Sequence, residues 1–331
     1  QAIVKNGTLV KEFVLMGFTV GAEVQMVLFF IFLTLYLITM GGNLGMIFLI
    51  QRDPRLQTPM YFFLSHLSFL DVCYSSVIIP QMLETLKSGR APITYERCAT
   101  QFFFFTLCAS TECFLLAVMA YDRYVAVCNP LLYVTAMTPQ TRLGLVMGAY
   151  SGAMVNTVIR AYSGGLSGAI LRTVCTFTLS FCGPNQINFF FCDLPPLLEL
   201  SCSDSPTSQI LILFYGSFVI FVNALVILVS YLFIIRAILH VKSVGGRAKT
   251  FSTCASHLTV VMLFFGTLTF MYMSSNSNKS LEEDKVVSVF YTVIIPMLNP
   301  LIYSLRNKEV KAAFRKVISK LQVSQKIGKQ A

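Results

Sequence analysis

The chain has 331 residues, of which 55% are hydrophobic, 13% aromatic and only 12% charged. A soluble domain carries about 25% Asp, Glu, Lys and Arg, so half of the usual solvating surface is missing, and a mean hydropathy of +0.70 agrees. This excludes a disordered chain, a coiled coil and an ordinary cytosolic enzyme. The 25 basic and 15 acidic residues give a net charge of +10. In a soluble protein that excess would point to nucleic acid, but the hydropathy makes a membrane the first question.

A helix needs about 20 apolar residues to cross hydrocarbon. The chain opens on Gln1 rather than an initiator Met, and no signal-peptide pattern is read ahead of the first apolar run. Residues 1–23 are read as an outer tail carrying the sequon Asn6-Gly7-Thr8, the preferred glycosylation site over Asn278-Lys279-Ser280. Residues 24–50 then run without a charge, as do 143–159, 205–235, 250–278 and 286–305. Residues 59–83 and 98–121 are interrupted only by Asp71 and Glu112. Seven spans are therefore placed at 24–50, 59–85, 98–127, 141–160, 205–237, 248–273 and 285–305, with no short alternating strands of a barrel. The fold class is an all-α membrane protein, a seven-helix bundle. Residues 306–331 form a basic tail, where Val310, Ala313, Phe314, Val317, Ile318 and Leu321 recur at helical spacing. That stripe predicts an amphipathic eighth helix on the inner leaflet; the competing reading is a solvated tail.

Orientation follows from the basic residues. With the N-terminus outside, the cytoplasmic segments hold 16 of the 25 basic residues and three acids, a net of +13. The outer segments net −1, and Asp71 and Glu112 supply the remaining −2. The expected location is the plasma membrane, with an extracellular N-terminus, a cytoplasmic C-terminus, lipid as a partner and no role for nucleic acid.

Local motifs add chemistry. Span two opens with PMYFFLSHLSFLD (59–71) and span three ends in MAYDRYVAVCNPLLY (119–133). Span six opens with KTFSTCASH (249–257), and span seven closes with PMLNPLIYSLRN (296–307). Gly42-Asn43 lies in span one, and LSFCGPN with FFCDLPPLLELSCSD lies between 179 and 204. Together these resemble a vertebrate olfactory receptor of the tetrapod-type group (class II), within the rhodopsin-like G-protein-coupled receptors. The resemblance runs from EFVLMGF (12–18) to the tail.

Some of this chemistry is readable from the residues alone. Asp122-Arg123-Tyr124 closes span three, where Asp122 can hold Arg123 until a cytoplasmic partner takes it; a plain interfacial anchor is the alternative. Asn299-Pro300 frees a backbone carbonyl and bends span seven. Asp71 and Glu112 are costly in hydrocarbon and should face the interior. They are read as a sodium site, a shared proton or a structural cluster. No other metal or cofactor is expected.

The resemblance implies the rest. It supplies Asn43 and Asn299 as polar partners of the two acids, and it makes Tyr231 and Tyr303 neighbours of Arg123 in active receptors. It also implies a ligand pocket from Phe105, Thr106, Ala109 and Ser110 of span three and Tyr215 and Val219 of span five. Phe265, Leu268 and Tyr272 of span six and Val289 and Thr292 of span seven complete it. That lining suits a small, mostly apolar volatile. Residues 102–110 hold no acid to pair an amine, and 286–305 hold no Lys for a Schiff base. The implied partner is a heterotrimeric G protein of the olfactory, stimulatory type, raising cyclic AMP.

An oxidising outer side permits disulfides; the resemblance favours Cys98–Cys182, with Cys98–Cys192 the alternative. Cys73, Cys108, Cys113, Cys128 and Cys254 read as packing residues. Departures from the family are Phe265 for a usual Tyr, Arg172 and Phe189 for loop His residues, and a near-repeat of 149–160 at 161–172. The Ser and Gly content of the second copy favours a looped insertion. A non-olfactory chemoreceptor of the same fold is the nearest rival, and a transporter or channel a weaker one. No nucleophile–base pair or metal-ligand set suggests an enzyme.

Overall fold

The computed structural model describes residues 3–5, 8–10, 12–18, 20–163, 185–193, 196–197, 200, 206–240, 244–273, 281–305 and 308–327. Each apolar run forms a helix: Ala22–Arg52, Pro59–Ser88, Tyr95–Cys128, Pro139–Ser163, Pro206–His240 and Val244–Met273. Span seven is built from Leu281–Val289, a π-helical turn at Phe290–Ile294, and Ile295–Leu305. Among the described residues, six of these helices are long and apolar enough to cross a membrane. The remaining one, span four, has 25 residues, enough length at about 1.5 Å each, but its glycines, Asn156 and Thr157 make it less apolar.

Local chemistry sets the ends. Pro59 opens span two at a position that needs no N–H donor. Gly89, at φ 72°, ends it in the left-handed conformation that a side chain would strain. Between spans one and two, Asp53 accepts from the Arg55 backbone N–H at 3.1 Å and from its guanidinium at 3.0 and 2.7 Å. The Arg55 hydrogen bonds hold the Asp53 carboxyl well below the usual carboxylate range.

Span three runs through the middle, packed against spans two, four, five and six. Span one turns Phe30, Leu37 and Phe48 outward, apolar side chains of the kind that lipid covers. The π turn of span seven sits just ahead of Pro296, whose ring and missing N–H disrupt a regular ladder one turn earlier. Beyond span seven, Lys308–Ile327 is a 20-residue helix. Val310 and Ala313 are buried against the bundle while Phe314 faces outward, and Tyr61 pins the helix by donating to Glu309 at 3.0 Å.

Short strands add a cap that the apolar periodicity does not announce. Glu12–Met16 pairs antiparallel with Arg90–Thr94 and parallel with Gln186–Ile187. Phe13 and Leu15 alternate inward with Glu12 outward, as a half-buried strand requires. Helix four continues through 149–160 and ends at Ser163, so the first copy of the near-repeat is helical. The rest of the second copy, and the sequons at Asn6 and Asn278, lie outside the described residues.

Candidate functional site

At the end of span three that carries Arg123, Asp122 is buried and doubly held. Its Oδ2 accepts from Arg123 Nη2 at 2.8 Å, and its Oδ1 accepts from the Tyr133 hydroxyl at 2.8 Å. Tyr133 stands on the short helix Pro130–Ala136, so the loop helps hold the arginine. Burial and then the Asp122 charge push the Tyr133 phenol up, which keeps it a neutral donor. Tyr124 packs on Phe233 of span five at 5.8 Å.

Above this latch, His257 joins three helices. Its Nε2 lies 3.1 Å from the Leu116 carbonyl, and its Nδ1 lies 2.8 Å from the Tyr231 hydroxyl. A carbonyl only accepts, so Nε2 carries the proton and, in the neutral ring, Nδ1 accepts from Tyr231. The Tyr231 hydroxyl is also 3.1 Å from the Cys254 carbonyl. Tyr303 is buried with no hydrogen-bond partner for its hydroxyl among the described residues, an unspent donor.

Pro300 cannot donate to the carbonyl four residues earlier, that of Pro296. Asn43 of span one fills the gap, its Nδ2 donating to that carbonyl at 2.9 Å and to Thr39 at 3.0 Å. Gly42 makes the approach possible: a Cβ there would lie 3.1 Å from Pro300 Cγ. The Asn43 amide nitrogen is thus committed to the proline notch rather than to the acids.

Asn299, one residue on, donates to both oxygens of Asp71 at 3.1 and 3.0 Å, and Glu112 is buried on span three. Glu112 Oε1, Asn299 Oδ1 and Asn43 Oδ1 are buried without partners among the described residues. So are Ser68 and Ser75 Oγ, on the face of span two that carries Asp71. Two carboxylates among neutral oxygens form a donor set that fits a hard cation.

At the opposite end of the bundle, Phe105 sits among buried rings: Phe191 of the loop before span five at 5.0 Å, Tyr74 at 5.7 Å and Tyr291 at 6.4 Å. The loop is bonded to span three through Cys98–Cys192. This corrects the expected Cys98–Cys182 pairing. The Cys192 N–H donates to Gln101 Oε1 at 3.0 Å, three residues along the same helix, and Phe189, Phe190 and Phe191 are fully buried beside it. The apolar anchor therefore brings Cys192 to Cys98, and Cys182 lies outside the described residues.

A family model described as olfactory receptor matches residues 32–321. The chain is 66% identical over 319 residues to human olfactory receptor 9I1, covering 96% of this chain and 98% of the relative. It is 61% identical to human olfactory receptor 9Q2 over 96% and 97%, and 51% identical to mouse olfactory receptor 5B21 over 96% and 95%. The chain belongs to the olfactory receptor family. It is a multi-pass membrane protein with the seven-helix receptor fold.

The other proposed pocket residues of this olfactory receptor are distributed unevenly. Thr106 is buried with its hydroxyl unpartnered among the described residues, whereas Ser110 accepts from Asn156 at 2.8 Å. Ala109, Val219 and Val289 pack against the core, and Phe265 and Leu268 are buried in it. Thr292 donates to the Ser288 carbonyl at 2.6 Å, so its proton is spent within its own helix. The side chains of Tyr215 and Tyr272 lie outside the described residues. Missed in the sequence were Tyr74, Phe191 and Tyr291 around Phe105, and Asp193, which accepts from Tyr291 at 3.3 Å. Tyr133 and His257 stand inside the motifs at 119–133 and 249–257; Tyr133 reaches back to the end of span three, and the His257 contacts cross the bundle.

Proposed function

We propose that this receptor binds a small, mostly apolar volatile beside Phe105 and relays the event to a stimulatory, olfactory-type G protein. The observations that carry the reading are the buried rings around Phe105, which can cover an apolar body, and the Thr106 hydroxyl on the next residue of span three, buried without a hydrogen-bond partner among the described residues. The odorant acts by binding better to the state in which Arg123 leaves Asp122. Opening the inner ends of spans five and six against span three then exposes that guanidinium to the G protein. The cluster around Asp71 and Glu112 lies on the route between the two sites. A sodium ion held there would supply positive charge to the two carboxylates. The basic inner side supports an extracellular N-terminus at the plasma membrane.

The test is a cyclic-AMP reporter assay in transfected cells against a diverse odorant panel. Expected are a ligand-dependent signal, its loss in Arg123→Ala at equal surface expression, and weakened potency in Thr106→Val. A ligand response that survives Arg123→Ala would overturn the coupling role.

A further inference from the structure

A cleft of about 870 Å³ opens between spans one, two and four near their cytoplasmic ends. Gln57 and Thr58 of the first inner connection stand at its mouth, and Ile47, Ile50 and Phe69 form apolar wall. Arg142 and Tyr150 line its span-four side; eight residues of helix separate them, about 12 Å of depth. The cleft thus starts at the inner headgroup level and runs into the acyl region.

Arg142 is the distinctive group. Arg55 is paired with Asp53 and Arg123 with Asp122, but Arg142 has no acid partner among the described residues. Its Nε is buried without a hydrogen-bond partner among the described residues, and its guanidinium lies 5.4 Å over the Phe62 ring. A planar guanidinium oriented on an aromatic face is suited to a phosphate or carboxylate. We propose that this cleft holds an anionic phospholipid of the inner leaflet, its headgroup on Arg142 and its acyl chain along Ile47, Ile50 and Phe69. A free anion would leave those apolar walls uncovered, and a sterol hydroxyl would leave the guanidinium charge unpaired. The positive cytoplasmic side already gathers anionic lipid near the mouth.

The experiment is native mass spectrometry of the full chain released from bilayers of phosphatidylcholine and phosphatidylserine. Phosphatidylserine should be retained in preference to phosphatidylcholine. Arg142→Gln should cut that preference about fivefold, as loss of one basic contact implies, while Arg236→Gln on span five should leave it unchanged. Ile47→Trp, which fills the cleft and keeps the charge, should also lower retention, and it serves should Arg142→Gln fail to fold. Equal retention of the two lipids, full retention by Arg142→Gln or Ile47→Trp, or displacement of phosphatidylserine by cholesterol would overturn the proposal.

Discussion

Lys285, fully buried at the outer end of span seven, donates to Asn188 of the outer loop at 2.9 Å. The same ammonium reaches the Gly17 carbonyl at 3.0 Å and Glu282 at 2.8 Å. One charge therefore ties the N-terminal strand region, the outer loop and span seven together. Lys285→Met should remove all three bonds. Glu282 is half exposed and rehydrates, so the loss is that of the hydrogen bonds, about 1–3 kcal/mol. A lowered melting temperature with faster hydrogen exchange at 12–18 and 186–188 is expected; exchange confined to span seven would contradict the tether.

The Cys98–Cys192 bond closes a loop with a sequence separation of 94, worth up to about 4.7 kcal/mol by chain entropy. Cys192→Ser should therefore lose most surface expression. A non-reducing peptide map should link the Cys98 and Cys192 peptides. Linkage of Cys98 to Cys182 instead would restore the pairing that the family resemblance favours.

The Asn43–Pro300 relationship invites a double-mutant cycle. Asn43→Leu strands the Pro296 carbonyl and should cost about 1–3 kcal/mol. In a Pro300→Ala background the restored N–H can serve that carbonyl, so the same change should cost clearly less. Equal costs in both backgrounds, read by thermal unfolding, would mean that Asn43 acts elsewhere.

What could be read in advance follows from what the sequence encodes locally. Charge-free runs report spans because hydrocarbon punishes exceptions, and the Val310–Ala313 stripe reports the eighth helix because apolar residues at helical spacing bury one face against the bundle. Pro300 announces a freed carbonyl, yet which side chain answers it depends on span one meeting span seven. The cap strand at 12–16 is too short for periodicity to separate it from loop. The choice between Cys182 and Cys192 turns on where three buried phenylalanines settle, which residue spacing does not contain. Asp193 belongs to the loop rather than to residues 102–110, so the acid-free pattern of span three does not report it.

Tyr133 and Arg123 share the Asp122 carboxylate, so weakening either contact should favour the released arginine. A hydrogen bond to a charged group is worth about 1.5–3 kcal/mol. Tyr133→Phe should accordingly raise basal cyclic AMP at matched expression, and Asp122→Asn should raise it further. Basal signalling unchanged in both variants would show that Asp122 does not restrain Arg123.

His257 offers a test of how the inner helices move together. His257→Phe keeps a ring in the place where imidazole and Tyr231 stack at 5.8 Å, but it removes the bonds to Leu116 and Tyr231. Each lost partner is buried, so the closed bundle should be destabilised by about 1–3 kcal/mol. If the link holds spans three, five and six in the closed arrangement, Tyr231→Phe should add little to His257→Phe. The two changes break the same bond, and shared bonds are not counted twice. Thermal unfolding of the single and double variants reads this directly. Additive losses would mean that Tyr231 acts mainly through the Cys254 carbonyl, leaving His257 as a bridge between spans three and six alone.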